Sequence, residues 1–382
     1  MLRELALIGT DPRGGLSRLG LGPAERQARD YLSQVSRRAG LVPKTDPAGN
    51  LVVSRAGADP ARPALLFGSH TDTVRQDGWL DGAYGVVAAL EVLTVLAEHA
   101  VPCSLEPVAV GFANEEGALI QRPFWGSRAL AGSSAGALDA CDRDGMPVGP
   151  YLRAAGGDPD RLAQAAWPPG AIAAYLELHI EQGTVLERRQ VPIGVVDRIA
   201  GRTIFDFVLN GESGHAGTTP MNARKDALSA AARLVLKIES IASDHGICAT
   251  STAGYLDVAP NVTNTIPGSA RLSAEIRDTD ARRIHAAASL LSSMAAEVAG
   301  QSGVAIDLKV AHQSRPETTD TGLSGAVEEA ARSLGLDCLT MPSGAGHDAQ
   351  IMAAICPTGM IFVPSEGGSA MRRRRTRTCR PW

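Results

Sequence analysis

Apolar positions along the chain fall into short runs and helical stripes. Residues 64–67 form a short apolar run that breaks into Gly68-Ser69-His70-Thr71-Asp72-Thr73. Beyond Trp79-Leu80-Asp81-Gly82, apolar residues recur at Val86, Leu90, Leu93 and Ala97. The run predicts a buried strand of a parallel sheet, and the recurrence predicts a helix with one apolar face. A helix is expected over 21–40, with Tyr31, Leu32 and Val35 on one side, then a turn at 46–50, strands over 51–54 and 105–112, and a strand or helix start over 175–180. Residues 131–170, rich in Gly, Ala, Asp and Pro, predict short helices and loops.

Near Ile199 the pattern changes. Residues 203–209 alternate as a half-buried strand, with Ile204, Phe205, Phe207 and Leu209 among polar neighbours. Asp226 then caps a helix carrying Leu228, Ala231, Leu234 and Val235; strands follow over 249–258 and 271–276; Asp280 caps a helix reaching about Gly300; and 304–310 closes the set. That order is a compact two-layer α+β unit of a common domain size. The chain then resumes with a helix over 321–334, a loop over 342–350, a helix, and a strand over 358–364. The expected fold is therefore α/β: a discontinuous domain with a mostly parallel mixed sheet (1–199 and 316–382) and an inserted α+β domain (200–315).

Composition narrows the partners. With 382 residues the chain has room for two or three domains, and a net charge of −4 gives no reason to expect nucleic acid or anionic lipid. No apolar stretch is long enough to span a bilayer, and the first sixteen residues lack the features of a secretion signal. Six scattered cysteines without a CxxC pair argue against a disulfide framework and fit a reducing cytoplasm.

An imidazole and two carboxylates, His70, Asp72 and Asp81, sit where a strand ends and a helix begins, the edge at which open α/β sheets bind ligands. His70 and Asp81 are both able to bind a divalent metal, and Asp72 is placed to hold the far nitrogen of His70. Glu115-Glu116 closes a second strand and His179 a third. Nitrogen and oxygen donors in this ratio suit zinc, and of two adjacent glutamates one is able to coordinate while the other stays free as general base.

The stretches GSHTDTVRQDGWLDGAYGVVAALEVL, FANEEG, YLELHIEQGTVLE, GESGHAGTTPMNARKDAL, NVTNTIPGSARLSAEIRD and SGAGHDAQIMA resemble the zinc-dependent amidohydrolases that cleave N-carbamoyl amino acids and related ureido compounds. These include N-carbamoyl-L-amino acid hydrolases, β-ureidopropionases and allantoate amidohydrolases, within the dizinc aminoacylase and carboxypeptidase superfamily. The resemblance implies two divalent metals per chain, zinc or else manganese or cobalt. His70 and His179 would hold one, Asp81 would bridge, Glu116 would hold the second, and Glu115 would be the general base. Gln182 would line the pocket. His215 would polarise the scissile carbonyl, and Asn264 and Arg277 would hold the carboxylate of a small ureido or amide substrate. The inserted domain would serve as lid and homodimer interface. His347-Asp348 is a candidate for a further polar pair near the site, with a structural role preferred.

One departure stands out. The family pattern near the C-terminus is close to Gly-x-Ser-His, whose histidine binds the second metal, whereas this chain reads Gly368-Ser369-Ala370-Met371 and then an arginine-rich run, with no histidine after His347. Cations repel a metal. The expectation is a frameshifted or truncated tail, with a weak second metal and low activity. Allantoate or another N-acyl amino acid is an alternative substrate with the same motifs, and a non-catalytic binding protein of the same fold is the alternative from another class.

Overall fold

The computed structural model describes residues 1–12, 14–59, 61–76, 78–365 and 367. The chain divides into two compact units: Met1–Asp197 with Thr318–Ser343 and the chain from His347 onward, and Arg198–Glu317 with Gly344–Gly346.

The first unit is built on β1 (Leu41–Thr45), β2 (Leu51–Arg55), β3 (Ala64–His70), β4 (Glu106–Phe112), β5 (Ile172–Ile180) and β6 (Ile193–Ile199). The second contributes β7 (Gly201–Asn210), β8 (Gly214–His215), β9 (Thr250–Ala259), β10 (Thr265–Ile266), β11 (Ser269–Asp278) and β12 (Ala305–Ser314). The chain then runs through β13 (Glu317–Thr318), β14 (Cys338–Ser343) and β15 (Thr358–Val363).

The larger sheet has the order β1-β2-β4-β3-β5-β15-β6-β13, with β14 paired to β6. Its centre, β4-β3-β5-β15, is parallel; β2 joins β4 and β6 joins β15 antiparallel. This is the mixed sheet, parallel at its core, that the buried apolar runs predict. Every residue of β4 is buried, as a strand covered on both faces requires. Helices Pro23–Arg38 and Ala83–Glu98 pack Ala28, Leu32, Val86, Leu90 and Leu93 with Leu41, Leu51, Val53 and Ala109 of the sheet. A second cluster gathers Trp125, Ala129, Val148 and Leu152 with Ala48 and Ala113. Strands β1, β6 and β14 have no counterpart in the periodicity. Leu41-Val42-Pro43-Lys44-Thr45 is an edge strand with one buried residue, so its sequence carries almost no burial pattern.

The parallel register puts three strand ends on one level. His70 pairs with Phe112, and Phe67 pairs with Leu176, so His179 lies as far beyond Leu176 as His70 does beyond Phe67.

The second unit is a four-stranded antiparallel sheet, β12-β7-β11-β9, with helices Ala227–Ser243 and Ala281–Ser302 over its buried face. Strand β7 alternates strictly, burying Thr203, Phe205, Phe207 and Leu209. β8 and β10 form a separate two-stranded ladder. No helix among the described residues is long and apolar enough to cross a membrane.

Asp226 caps its helix as expected, accepting the amides of Leu228 and Ser229 at 3.0 Å each. Replacing it by Ala should cost about 1 kcal/mol, read as a lower urea midpoint with an unchanged slope.

Candidate metal centre

The centre grows out of the level edge of the parallel strands. His70 ends β3, His179 lies one residue from the end of β5, and Asp81 stands at the turn before helix Ala83–Glu98. The ligand atoms of these three buried residues lie within 4.8 Å of one another. His179 Nε2 is 3.3 Å from Asp81 Oδ1, and the two imidazole centroids are 5.8 Å apart. Gly82 (φ +59°) makes the approach possible: a Cβ there would come within 2.5 Å of the His70 ring.

Each imidazole is held by its far nitrogen. His70 Nδ1 donates to the Asp72 carbonyl at 3.0 Å, and His179 Nδ1 donates to the Ile180 carbonyl at 2.8 Å, which turns both Nε2 atoms toward the acids. Asp72 stands at the far nitrogen of His70, where the sequence places it. Its backbone, not its carboxylate, meets His70; the carboxylate stays 3.7 Å away and instead accepts the amides of Glu115 (3.0 Å) and Glu116 (3.1 Å). The physical reason is that the 114–116 loop leaves strand β4 directly alongside, and its buried N–H groups need an acceptor.

Glu115 is buried, with Oε2 3.9 Å from His70 Nε2. Glu116 is half-buried in the same loop and stands outside the close trio. Gln182, half-buried with φ +56°, donates Nε2 to both Asp81 oxygens (3.0 and 3.3 Å), so it holds an acid of the trio.

Two residues that the sequence analysis did not assign to the site belong to the same cluster. Glu177, fully buried, accepts Ser69 Oγ at 2.7 Å and the Ala349 amide at 2.9 Å. The buried His347 ring lies 4.7 Å from that of His179, and Glu177, His179 and His347 form a second close group of donors. The signal for Glu177 was present: it sits two residues before His179 on a strand, hence on the same face. For His347 the sequence carries only a Gly-rich loop and an adjacent acid. Asp348, also buried, accepts Ser127 Oγ at 2.5 Å.

Burial dominates the electrostatics. It pushes Asp72 up to about 7, with the Glu25 charge adding to the shift. Burial raises Glu115 well above the usual carboxylate range, helped by Glu116, Asp348, Asp72 and Glu177. Glu177 and Asp348 are raised by burial as well. Burial and the neighbouring His179 lower His70 to about 3, so its imidazole is neutral at physiological pH, the form that binds metals. A neutral His70 imidazole facing a surplus of buried acids fits a divalent cation, which would relieve the repulsion.

In the second unit, β8–β10 pairing sets His215 opposite Thr265, and the Ala216 amide donates to the Asn264 carbonyl at 2.9 Å. His215 and Asn264, distant in sequence, thus become neighbours, both exposed. Arg277, half-buried on β11, pairs Nε with Glu275 at 2.5 Å and donates to the Gly344 carbonyl at 3.0 Å. Residues 368–382, where the sequence predicts loss of a metal ligand, lie outside the described residues.

Peptidase family M20/M25/M40 matches residues 66–375. The N-carbamoyl-L-amino acid amidohydrolase of Geobacillus stearothermophilus is 38% identical over 368 residues, 96% of this chain and 90% of that one. The allantoate amidohydrolase of Escherichia coli K12 is 34% identical, covering 95% of this chain and 89% of its own length. Among solved structures, an amidase of the hydantoinase/carbamoylase family from Burkholderia vietnamiensis superposes with a TM-score of 0.85 at 33% identity, over 97% of this chain and 89% of that one.

Removing the Asp72 carboxylate strands two buried amides. Asp72→Ala should lose about 2 kcal/mol of stability in urea unfolding; an unchanged midpoint would show that water or another group takes over both N–H groups.

Proposed function

The chain belongs to peptidase family M20/M25/M40, and on that footing we propose that it is a metal-dependent amidohydrolase cleaving the ureido or amide C–N bond of N-carbamoyl amino acids or related ureido acids. The observation that carries this reading is the buried trio His70, Asp81 and His179, with the Glu115 carboxylate beside it. These three would hold a divalent zinc, manganese or cobalt ion; with a second ion, Asp81 would be shared and Glu116 would join. Such an ion, when bound, polarises a carbonyl and acidifies water.

The chain's own groups do the rest. Glu115, whose raised affinity for protons follows from burial, would accept the proton of the attacking water and return it to the leaving nitrogen. Asp72 would keep Glu115 in place through its amide, and Gln182 would orient Asp81. In the second unit, Arg277 offers a planar fork suited to a carboxylate, Asn264 would add a hydrogen bond to it, and His215 would donate to the carbonyl oxygen as negative charge develops. An N-carbamoyl amino acid would yield the amino acid, carbon dioxide and ammonia.

Allantoate is the second substrate reading, favoured by the identity to the E. coli allantoate amidohydrolase. A homodimer through the second unit is supported by its two ten-residue edge strands, β9 and β12, which expose Tyr255, Leu256 and Val310. The cysteines among the described residues are free, in keeping with a cytoplasmic location.

Glu115→Gln should keep its metal, measured by elemental analysis, and lose turnover of N-carbamoyl amino acids by about 10²-fold or more. Full turnover would remove Glu115 from the role of base, and an Asp81→Ala protein that retains the metal would remove the trio. Arg277→Ala should raise KM for a carboxylate-bearing substrate and leave a neutral ureide unaffected; equal effects on both would contradict the assigned contact.

A further inference from the structure

Residues 18–25 precede or open the helix Pro23–Arg38 and contribute nothing to the donor trio. Yet Arg18 and Glu25 are wholly buried, as is nearby Arg29. Burying such charges costs several kcal/mol each unless partners compensate, so their partners matter. Arg18 Nε donates to the Thr71 carbonyl at 2.6 Å, and a second guanidinium nitrogen donates to the Leu5 carbonyl at 3.0 Å. The Arg18 amide donates to Thr73 Oγ1, and the Thr73 amide donates back to the Arg18 carbonyl, both at 2.9 Å. Thr71 Oγ1 donates to Glu25 Oε1 at 3.0 Å, and Glu25 is paired with Arg29 at 2.7 Å.

The loop after β3 therefore divides by alternation. His70 and Asp72 serve the centre, while Thr71 and Thr73 are bonded to the 18–25 segment. The same segment backs the other acid-bearing loop: a Cβ on Gly20 would stand 2.4 Å from Asn114 Cα, one residue before Glu115.

We propose that Arg18 and Glu25 are positioning residues, and that the 18–25 segment braces both loops from behind. Through Thr71 and Thr73 it sets the reach of His70 and Asp72; through Gly20 it sets the approach of Asn114 and Glu115. Its consequence for cation affinity rests on the metal-hydrolase reading above; the brace itself rests on contacts within the first unit.

Thr71→Val removes the hydroxyl that meets Glu25 and keeps the side chain's shape, while Thr71→Ser keeps the hydroxyl. In the full chain, Thr71→Val should speed hydrogen–deuterium exchange across 70–73 and 114–116. It should also raise the zinc dissociation constant, read by competition with a chromogenic chelator, about tenfold, and lower kcat without changing KM. Thr71→Ser should restore all three. Unaltered exchange and zinc affinity in Thr71→Val would overturn the proposal, as would equal damage in Thr71→Ser, which would trace the effect to packing. If Thr71→Val does not accumulate as folded protein, Thr71→Ala, which also removes the hydroxyl that donates to Glu25, tests the same contact with the same expected and overturning results. An unaltered chain that takes up no zinc sinks the metal reading, and the exchange data then still decide the brace.

Discussion

The buried carboxylate of Asp72 accepts the backbone amides of Glu115 and Glu116, while the carbonyl of the same residue accepts the Nδ1–H of His70. One residue thus ties the end of β3 to the end of β4. Neighbouring strands lie about 4.8 Å apart, so two loops leaving adjacent parallel strands are close already, and Asp72 fixes how the imidazole of one faces the glutamate of the other. The surrounding polar groups extend this joint. Ser69 holds Glu177 on β5, and Asn50 accepts the Ala113 amide just ahead of the glutamates.

The cost of this arrangement is electrostatic. Asp72, Glu115, Glu177 and Asp348 are all buried, and burial raises the proton affinity of each. A core selected for stability alone would not gather carboxylates in this way. Sites that bind cations or move protons do, because mutual repulsion becomes attraction for a positive charge. The imidazoles of His70 and His179 complete a donor set of that kind.

The second unit is organised on different terms. Its apolar core is its own, formed between one face of an antiparallel sheet and two helices. The polar side chains of interest are on exposed or half-buried positions. His215 and Asn264 meet through a two-residue ladder, and Arg277 is engaged by Glu275 and a carbonyl. Any carboxylate that approached Arg277 would have to compete with Glu275 for the guanidinium.

The sequence by itself determined the periodic elements, the inserted α+β pattern and the residue types able to hold a metal. Strand and helix periods are local, and His70, Asp81, Glu115 and His179 stand at strand ends or turns whose flanks are plainly patterned. It placed Asp72 at the far nitrogen of His70 without saying which of its atoms makes the contact, and the backbone carbonyl does. Tertiary structure alone decided the rest. The burial of Glu177, His347, Arg18 and Glu25 is not legible in one dimension, since nothing local marks a charge as buried. Parallel register and loop packing join segments far apart in the chain, and only that juxtaposition turns isolated polar residues into a centre and its brace.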